Sequence, residues 1–451
     1  MEYAAVKGRL LTPVNALLAL VMLAGVGAFV ARFAFGLGAT TNLSDTYPWG
    51  LWIVFDLAWI ALAAGAYVTA AVVYLFGGEQ FHGIARSAVL MGLLSYNFVV
   101  VTLLADLGLP WHAWQIAIQR PEHSAMFEVS WCVGLYVSVL ALEFAPVLFD
   151  RFGWERLRDL WKRLTPVYIV AALGFFVYLM SHSPLWGVAA LVVFGALAVI
   201  LPRKATASEG GLPILAVIAA VAFSSMHQSS LGSLFLLMPD KLSHIWWSPI
   251  LPLYFFVSSI VGGLATTIVL VALTDWAFGR KQQTEVLAGL ARILAGVLAA
   301  YLALRLGDLA VRGQLGPAFA QPYFLTEVAV GAILPLALLV PLSRKTGAVF
   351  VLGLLTMGGI VMNRLCVVLL GMNLNGPTPG GSPATYVPSP VEIVLSVSLI
   401  AALFFFYLLG VRLLPILPRN GDDEGAHELP GHLRRAHPEN AAVTSPSAGA
   451  S

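Results

Sequence analysis

The stretch Met226-His227-Gln228-Ser229-Ser230-Leu231-Gly232-Ser233-Leu234 sets an imidazole, a carboxamide and several hydroxyls inside an apolar run from about Pro213 to Met238. Such a run is long enough to cross a bilayer. Polar side chains are costly in a lipid-spanning helix, and those that occur face a bundle interior, a cavity or a reaction site. Ser225, Ser229 and Ser233 recur every four residues, so one helix face is small and polar enough for close packing. Two assignments are open here: a tight interhelical seam with His227 bonded to a neighbour, or a functional pocket.

Other apolar runs carry chemistry of the same kind. Asp56, Tyr96 with Asn97, Asp106, Glu128, Glu143, Glu327, Arg364 and Glu392 all fall inside or at the ends of hydrophobic segments. Carboxylates, an imidazole, a phenol and a guanidinium together suit proton transfer to an apolar ligand with hydrogen-bonding ends. A quinone is such a ligand: its ring needs an apolar slot, its carbonyls need donors, and its two-electron reduction takes up two protons. Histidine titrates near neutrality, and a carboxyl set in lipid can carry a proton, which makes His227 and Glu128 the proton-handling pair.

These residues must be positioned by membrane helices. The chain of 451 residues is 59% hydrophobic and only 11% charged, against about 25% charged in a soluble domain. The expected fold is therefore all-α, a polytopic helical bundle of about 10–12 transmembrane helices. The apolar runs lie at about 13–36, 49–76, 84–108, 126–149, 165–182, 184–201, 212–237, 249–273, 286–307, 323–342, 347–370 and 390–415. Residues 1–418 form one transmembrane domain, and 419–451, rich in Gly, Pro, Ala and acidic residues, read as a disordered cytoplasmic tail. No fixed-period repeat stands out.

Lysine and arginine orient the bundle. Alternate connections carry Lys7 and Arg9; Arg86; Arg151, Arg156, Arg158, Lys162 and Arg163; Arg203 and Lys204; Arg280 and Lys281; Arg344 and Lys345; and Arg412 with Arg419. The opposite set holds only Arg120, Lys241, Arg305 and Arg312. The positive-inside rule puts the first set and both termini in the cytoplasm of a cell with an inner (plasma) membrane. Nearly every buried ionisable residue then falls in the outer half of the bilayer, and Glu143 alone lies nearer the cytoplasm. Trp49, Trp52, Trp111, Trp114, Trp246 and Trp247 occupy the positions of an outer aromatic belt.

Each residue also has a structural alternative. Asp56 and Arg364 could be a buried ion pair, Glu327 and Glu392 first-turn residues favoured by the helix dipole, and Asp106 a loop cap. Cys132 and Cys366 belong to no CxxC pattern, and His227 is the only histidine well inside a span. The residues therefore support no metal site, no iron–sulfur cluster and no haem held by this chain alone. Electrons would have to come from a partner docked on the outer face. A secondary transporter is the rival from a different class, although no pair of Gly- or Pro-broken helices marks an inverted repeat. A purely structural anchor for an outer enzyme is a third assignment.

Several blocks carry a resemblance. Pro48-Trp49-Gly50-Leu51-Trp52-Ile53 leading to Phe55-Asp56, then Phe127-Glu128, Ala141-Leu142-Glu143-Phe144-Ala145-Pro146, the Met226–Ser233 block and Arg412-Leu413-Leu414-Pro415-Ile416-Leu417-Pro418 resemble the NrfD/polysulfide-reductase membrane subunits. The similar branch is HybB-like, the integral membrane subunit of uptake [NiFe] hydrogenases. The resemblance implies a haem-free, quinone-reactive subunit of a multi-subunit oxidoreductase, inactive alone, beside a periplasmic iron–sulfur protein and catalytic subunits. Its substrate would be menaquinone from the quinone pool. It carries the quinone-site roles to Tyr96, Glu128 and His227, and more weakly to Asp56, Asp106 and Arg364. Sister complexes of the DsrP type, in sulfur metabolism, share the pattern. One departure is the run from about Thr165 to Gly211, which adds a hairpin to a pattern of about ten spans.

Overall fold

The computed structural model describes residues 3–6, 8–45, 47–118, 124–200, 214–374 and 386–419. Lys7, Arg120, Arg203, Lys204 and the stretch from Asn420 onward lie outside the described residues. The chain is an all-α, polytopic membrane protein. Among the described residues its main helices are α1 Pro13–Phe35, α2 Leu51–Leu75, α3 Ala85–Asp106, α4 Ala125–Phe152, α5 Glu155–Ser181, α6 Pro184–Ile200, α7 Ile214–Leu236, α8 Leu251–Ala277, α9 Thr284–Val311, α10 Pro322–Leu339, α11 Thr346–Leu370 and α12 Pro390–Leu413. All but α6 are long and apolar enough to span a bilayer. The α5–α6 hairpin expected from the sequence is present. Its helices close at Gly174 and Gly187, where an added Cβ would fall 2.3 Å from Leu191 and 2.8 Å from Tyr178.

Local sequence sets the helix ends. Thr12 accepts from the Asn15 amide before Pro13 opens α1. Ser389 and Glu392 form a reciprocal capping box at the start of α12, which satisfies two of the orphan donors of a helix start. Gly153 closes α4 at φ 67°, a backbone conformation glycine adopts without steric cost. The next helix begins two residues later, so Arg156, Arg158, Lys162 and Arg163 lie on the first turns of α5, not in a connection. Arg305 likewise lies within α9, not beyond it.

Both ends of the described chain meet on one face. Tyr3 and Ala4 pair antiparallel with Pro418 and Leu417. Arg86, Arg151 and Arg280 donate to the carbonyls of Pro415, Leu413 and Pro418 on this terminal face. The Tyr3 ring lies 4.0 Å from the Arg86 guanidinium, and burial raises its phenol above the usual tyrosine range, against the opposing pull of Arg86.

Helices α2 and α8 are the most buried spans, while α1 and α5 leave most of their surface outward. Leu17, Leu20, Leu23 and Val26 on α1 are exposed, the pattern of a lipid-facing helix. On the opposite face the Pro48-Trp49-Gly50 block has a steric reason: a Cβ on Gly50 would stand 2.4 Å from the Tyr386 phenol oxygen. That phenol donates to Glu392 and accepts from the Leu51 amide at 2.8 Å. Burial first, and then Glu392, push Tyr386 above its ordinary range, which keeps it a donor. Glu392 also accepts from the Asn42 amide at 3.1 Å; it is a structural residue, as the first-turn alternative has it. Of the aromatic belt, Trp111 and Trp114 are exposed. Trp52 and Trp246 instead lie in the core, with indole N–H groups donating to the Glu392 carbonyl and the Glu327 carboxylate.

Candidate functional site

Helices α3, α4 and α7 bring Tyr96, Glu128 and His227 together. His227 is fully buried, with the Val129 backbone of α4 beside its ring, and neither ring nitrogen closes a hydrogen bond. Its ring centroid lies 5.9 Å from that of Tyr96. One turn further along α7, the Ser230 hydroxyl donates to the Glu128 carboxylate, so a single helix face carries the imidazole and the residue that holds the acid. The register is fixed by Gln228, whose side-chain amide donates to the Ile60 carbonyl at 2.9 Å. That carbonyl is free because the regular ladder of α2 is interrupted at Ala64. An imidazole with two unpartnered nitrogens inside a membrane bundle is a costly arrangement unless something uses it.

The cluster extends beyond the residues named from sequence. Tyr136 packs edge-on to Tyr96 with centroids 4.7 Å apart. Ser224 faces both phenols, and none of the three hydroxyls closes a hydrogen bond. Glu143, two turns beyond Tyr136 on α4, is electrostatically coupled to Tyr136 and to Tyr74. Glu128, Tyr136 and Glu143 share one face of α4 by their spacing, a signal that was available in the sequence. Glu128 is half-buried and forms the accessible edge of the cluster. Trp131 flanks it, with its ring 6.4 Å from Phe127 and 4.7 Å from Phe175.

Asp56 and Asp106 form a second group with Arg32. Asp106 lies on α3 about 15 Å beyond Tyr96 at 1.5 Å rise per residue. Asp56 is buried with both carboxylate oxygens unpartnered; the nearby Thr102 hydroxyl is spent on the Phe98 carbonyl at 2.9 Å. Arg32, buried near the end of α1, donates to the carbonyls of Ala105 and Leu107, both at 2.5 Å. Arg32 thus caps the end of α3, and one oxygen of Asp106 is left without a partner.

Arg364 belongs to a third group, so the Asp56–Arg364 ion pair does not form. Its guanidinium donates to Asn363 and Ser258, each at 2.7 Å, and lies over Phe255 at 3.8 Å. Glu327 is not a first-turn residue either. It ion-pairs with Arg305 at 2.9 Å and accepts from Asn363 at 3.0 Å. Helices α10 and α11 can meet this closely because they cross at Gly331 and Gly359, where a Cβ on Gly331 would fall 2.4 Å from the other glycine's Cα. Glu327 and Asn363 each lie four residues from that crossing, at the same end of the antiparallel pair.

The model of the family Polysulphide reductase, NrfD, matches residues 39–375. The chain belongs to the NrfD family. The NrfD match runs from the connection after α1 to just past α11 and takes in Tyr96, Glu128, His227 and Arg364. Three relatives align over most of their length. A protein of Nitratidesulfovibrio vulgaris is 31% identical over 441 residues, covering 95% of this chain and 100% of the relative. A probable Ni/Fe-hydrogenase 2 b-type cytochrome subunit of Escherichia coli is 29% identical over 413 residues, covering 88% of this chain and 91% of the relative. The integral membrane subunit of a menaquinone reductase from N. vulgaris is 26% identical over 424 residues, covering 88% and 90%. The HybB-like resemblance read from the sequence blocks therefore holds, and this NrfD chain is similar to membrane subunits of both hydrogenase and reductase complexes.

Proposed function

We propose that this NrfD chain is the quinone-reactive membrane subunit of a respiratory oxidoreductase, joining an iron–sulfur partner on the outer face to menaquinone. The observation that carries the reading is His227: a fully buried imidazole with both nitrogens unpartnered, beside Tyr96 and one helical turn from the residue that holds Glu128. The quinone head enters at the half-buried Glu128, along the aromatic edge of Phe127 and Trp131, and its carbonyls meet the His227 and Tyr96 donors. Two electrons arrive from the partner. Two protons are delivered, with Glu128 and His227 as the immediate sources. Tyr136 and Glu143 extend a chain of protonatable groups towards the terminal face, the route by which His227 is recharged. Asp56 and Asp106 shape the field between the quinone and the outer face.

The positive arginines on the terminal face support a cytoplasmic placement of both ends and a quinone site in the outer half of the bilayer. The names of the E. coli and N. vulgaris relatives support a [NiFe] hydrogenase, with its large and small subunits, or a menaquinone reductase complex as the setting. The E. coli relative's name also includes a b-type cytochrome, and a b-type haem usually needs a second axial ligand facing the first. Here the aromatic neighbour of His227 is Tyr96, and among the described residues no second histidine faces it. The residues do not fit a bis-histidine haem, and no electron step is routed through one. A reduced-minus-oxidised spectrum of the purified complex is expected to show no b-type band that disappears in His227→Ala.

The complex should co-purify with an iron–sulfur subunit and reduce a water-soluble menaquinone analogue with the donor's electrons. Solute uptake by proteoliposomes of this chain without a redox partner, and no quinone reduction by the complex, would point to a carrier instead.

A further inference from the structure

The third polar group lines a cavity that the quinone reading does not use. It lies between α8, α9 and α11, walled by Trp246, Tyr254, Phe255, Arg305, Arg312 and Arg364 among others, with a volume of about 10 Å³. That is room for about one water-sized particle, far too small for a quinone ring.

Its charges do not balance. Arg305 has Glu327 at 2.9 Å, and Arg312 has Asp308 at 2.6 Å. Arg364 is 1% exposed, yet its acceptors, Asn363 and Ser258, are both neutral. Among the described residues no carboxylate lies within 4.0 Å of it. Three guanidiniums thus stand against two carboxylates, and an arginine does not shed its proton to relieve the imbalance. A buried charge without a counter-charge is among the most expensive features a membrane bundle can carry.

The lining also offers donors that close no hydrogen bond. The Nε–H groups of Arg364 and Arg305 are buried without a hydrogen-bond partner, the Tyr254 hydroxyl lies beside the Asp308 carboxylate without closing a hydrogen bond to it, and all three residues wall the cavity. Water would satisfy some of these donors and leave the charge. We propose that the cavity binds one small monovalent anion of the halide class, held by Arg364 and Arg305 and closed on its far side by Tyr254. Arg312, which donates to the His244 carbonyl at 2.6 Å, stands where an ion would enter from the outer face.

The test is a thermal-unfolding titration of the intact complex in detergent, in potassium gluconate with chloride added at constant ionic strength. A saturable rise of at least about 2 °C is expected, and sulfate should not reproduce it. Arg364→Gln should abolish the rise, and in gluconate it should be at least as stable as the native complex, because it removes the uncompensated charge. Should that variant fail to assemble, anomalous diffraction from native complex crystals grown in bromide provides the second readout, with a bromide peak expected between Arg364 and Tyr254. No saturable chloride response, an equal response to sulfate, or no bromide peak would overturn the assignment and leave a water site. None of these outcomes touches the His227 reading, which is tested by quinone reduction.

Discussion

At the scale of single residues, the chemistry follows from which buried groups lack partners. His227, Tyr96 and Tyr136 hold polar atoms inside the bundle that close no hydrogen bond, whereas Glu392 and Glu327 are saturated by their neighbours. On the proposed function the first set meets the ligand, while the second ties helices together. Ser230 connects the two kinds, since it is bonded to the half-buried Glu128. Ser230→Ala frees that carboxylate from its orientation, and a lost hydrogen bond to a charged group is worth about 1.5–3 kcal/mol. The expected result is a fall of tenfold or more in quinone turnover with normal complex assembly; unchanged turnover would remove Glu128 from the site. Tyr136→Phe and Glu143→Gln should each slow turnover, and the double variant should be no slower than the worse single one, because both lie on one proton route. Additive losses in steady-state quinone reduction would break that route into unrelated parts.

At the scale of helices, close crossings decide what meets. Gly331 and Gly359 let α10 and α11 touch, which sets Glu327 against Asn363. Gly359→Ala should force the helices apart at a cost of about 1–3 kcal/mol, read as a lowered unfolding midpoint of the complex. Glu327→Ala strands Arg305 in the interior and should cost more, about 3–5 kcal/mol; a smaller loss than Gly359→Ala would show that the pair is not structural. The same scale explains what the sequence could and could not tell. The twelve apolar runs and the ends of most helices were legible, because spans follow from length and hydropathy. His227, Glu128 and Tyr96 were legible as costly residues within apolar runs. Azimuth was not. Depth alone made Asp56 and Arg364 look like partners, although their helices turn them towards different neighbours. Arg305 read as a loop residue because its carboxylate partner lies on another helix, beyond the reach of any local pattern. Tyr136 was missed although its spacing from Glu128 and Glu143 places it on their face.

At the scale of the whole molecule, the bundle separates its tasks. The arginines of the terminal face clamp the last described residues through backbone carbonyls, and the opposite face carries exposed Trp111 and Trp114, where a partner would approach the quinone site. On the proposed function this NrfD bundle is a wire end: electrons would come from outside the chain, while quinone and protons would meet within it. The most direct test is donor-driven reduction of a menaquinone analogue by the intact, fully assembled complex, comparing native chain with His227→Ala and Glu128→Gln. The account predicts that both variants assemble, keep donor oxidation by an artificial acceptor, and lose quinone reduction by about 100-fold, the scale of a lost general acid. Quinone reduction at the native rate in both would contradict it.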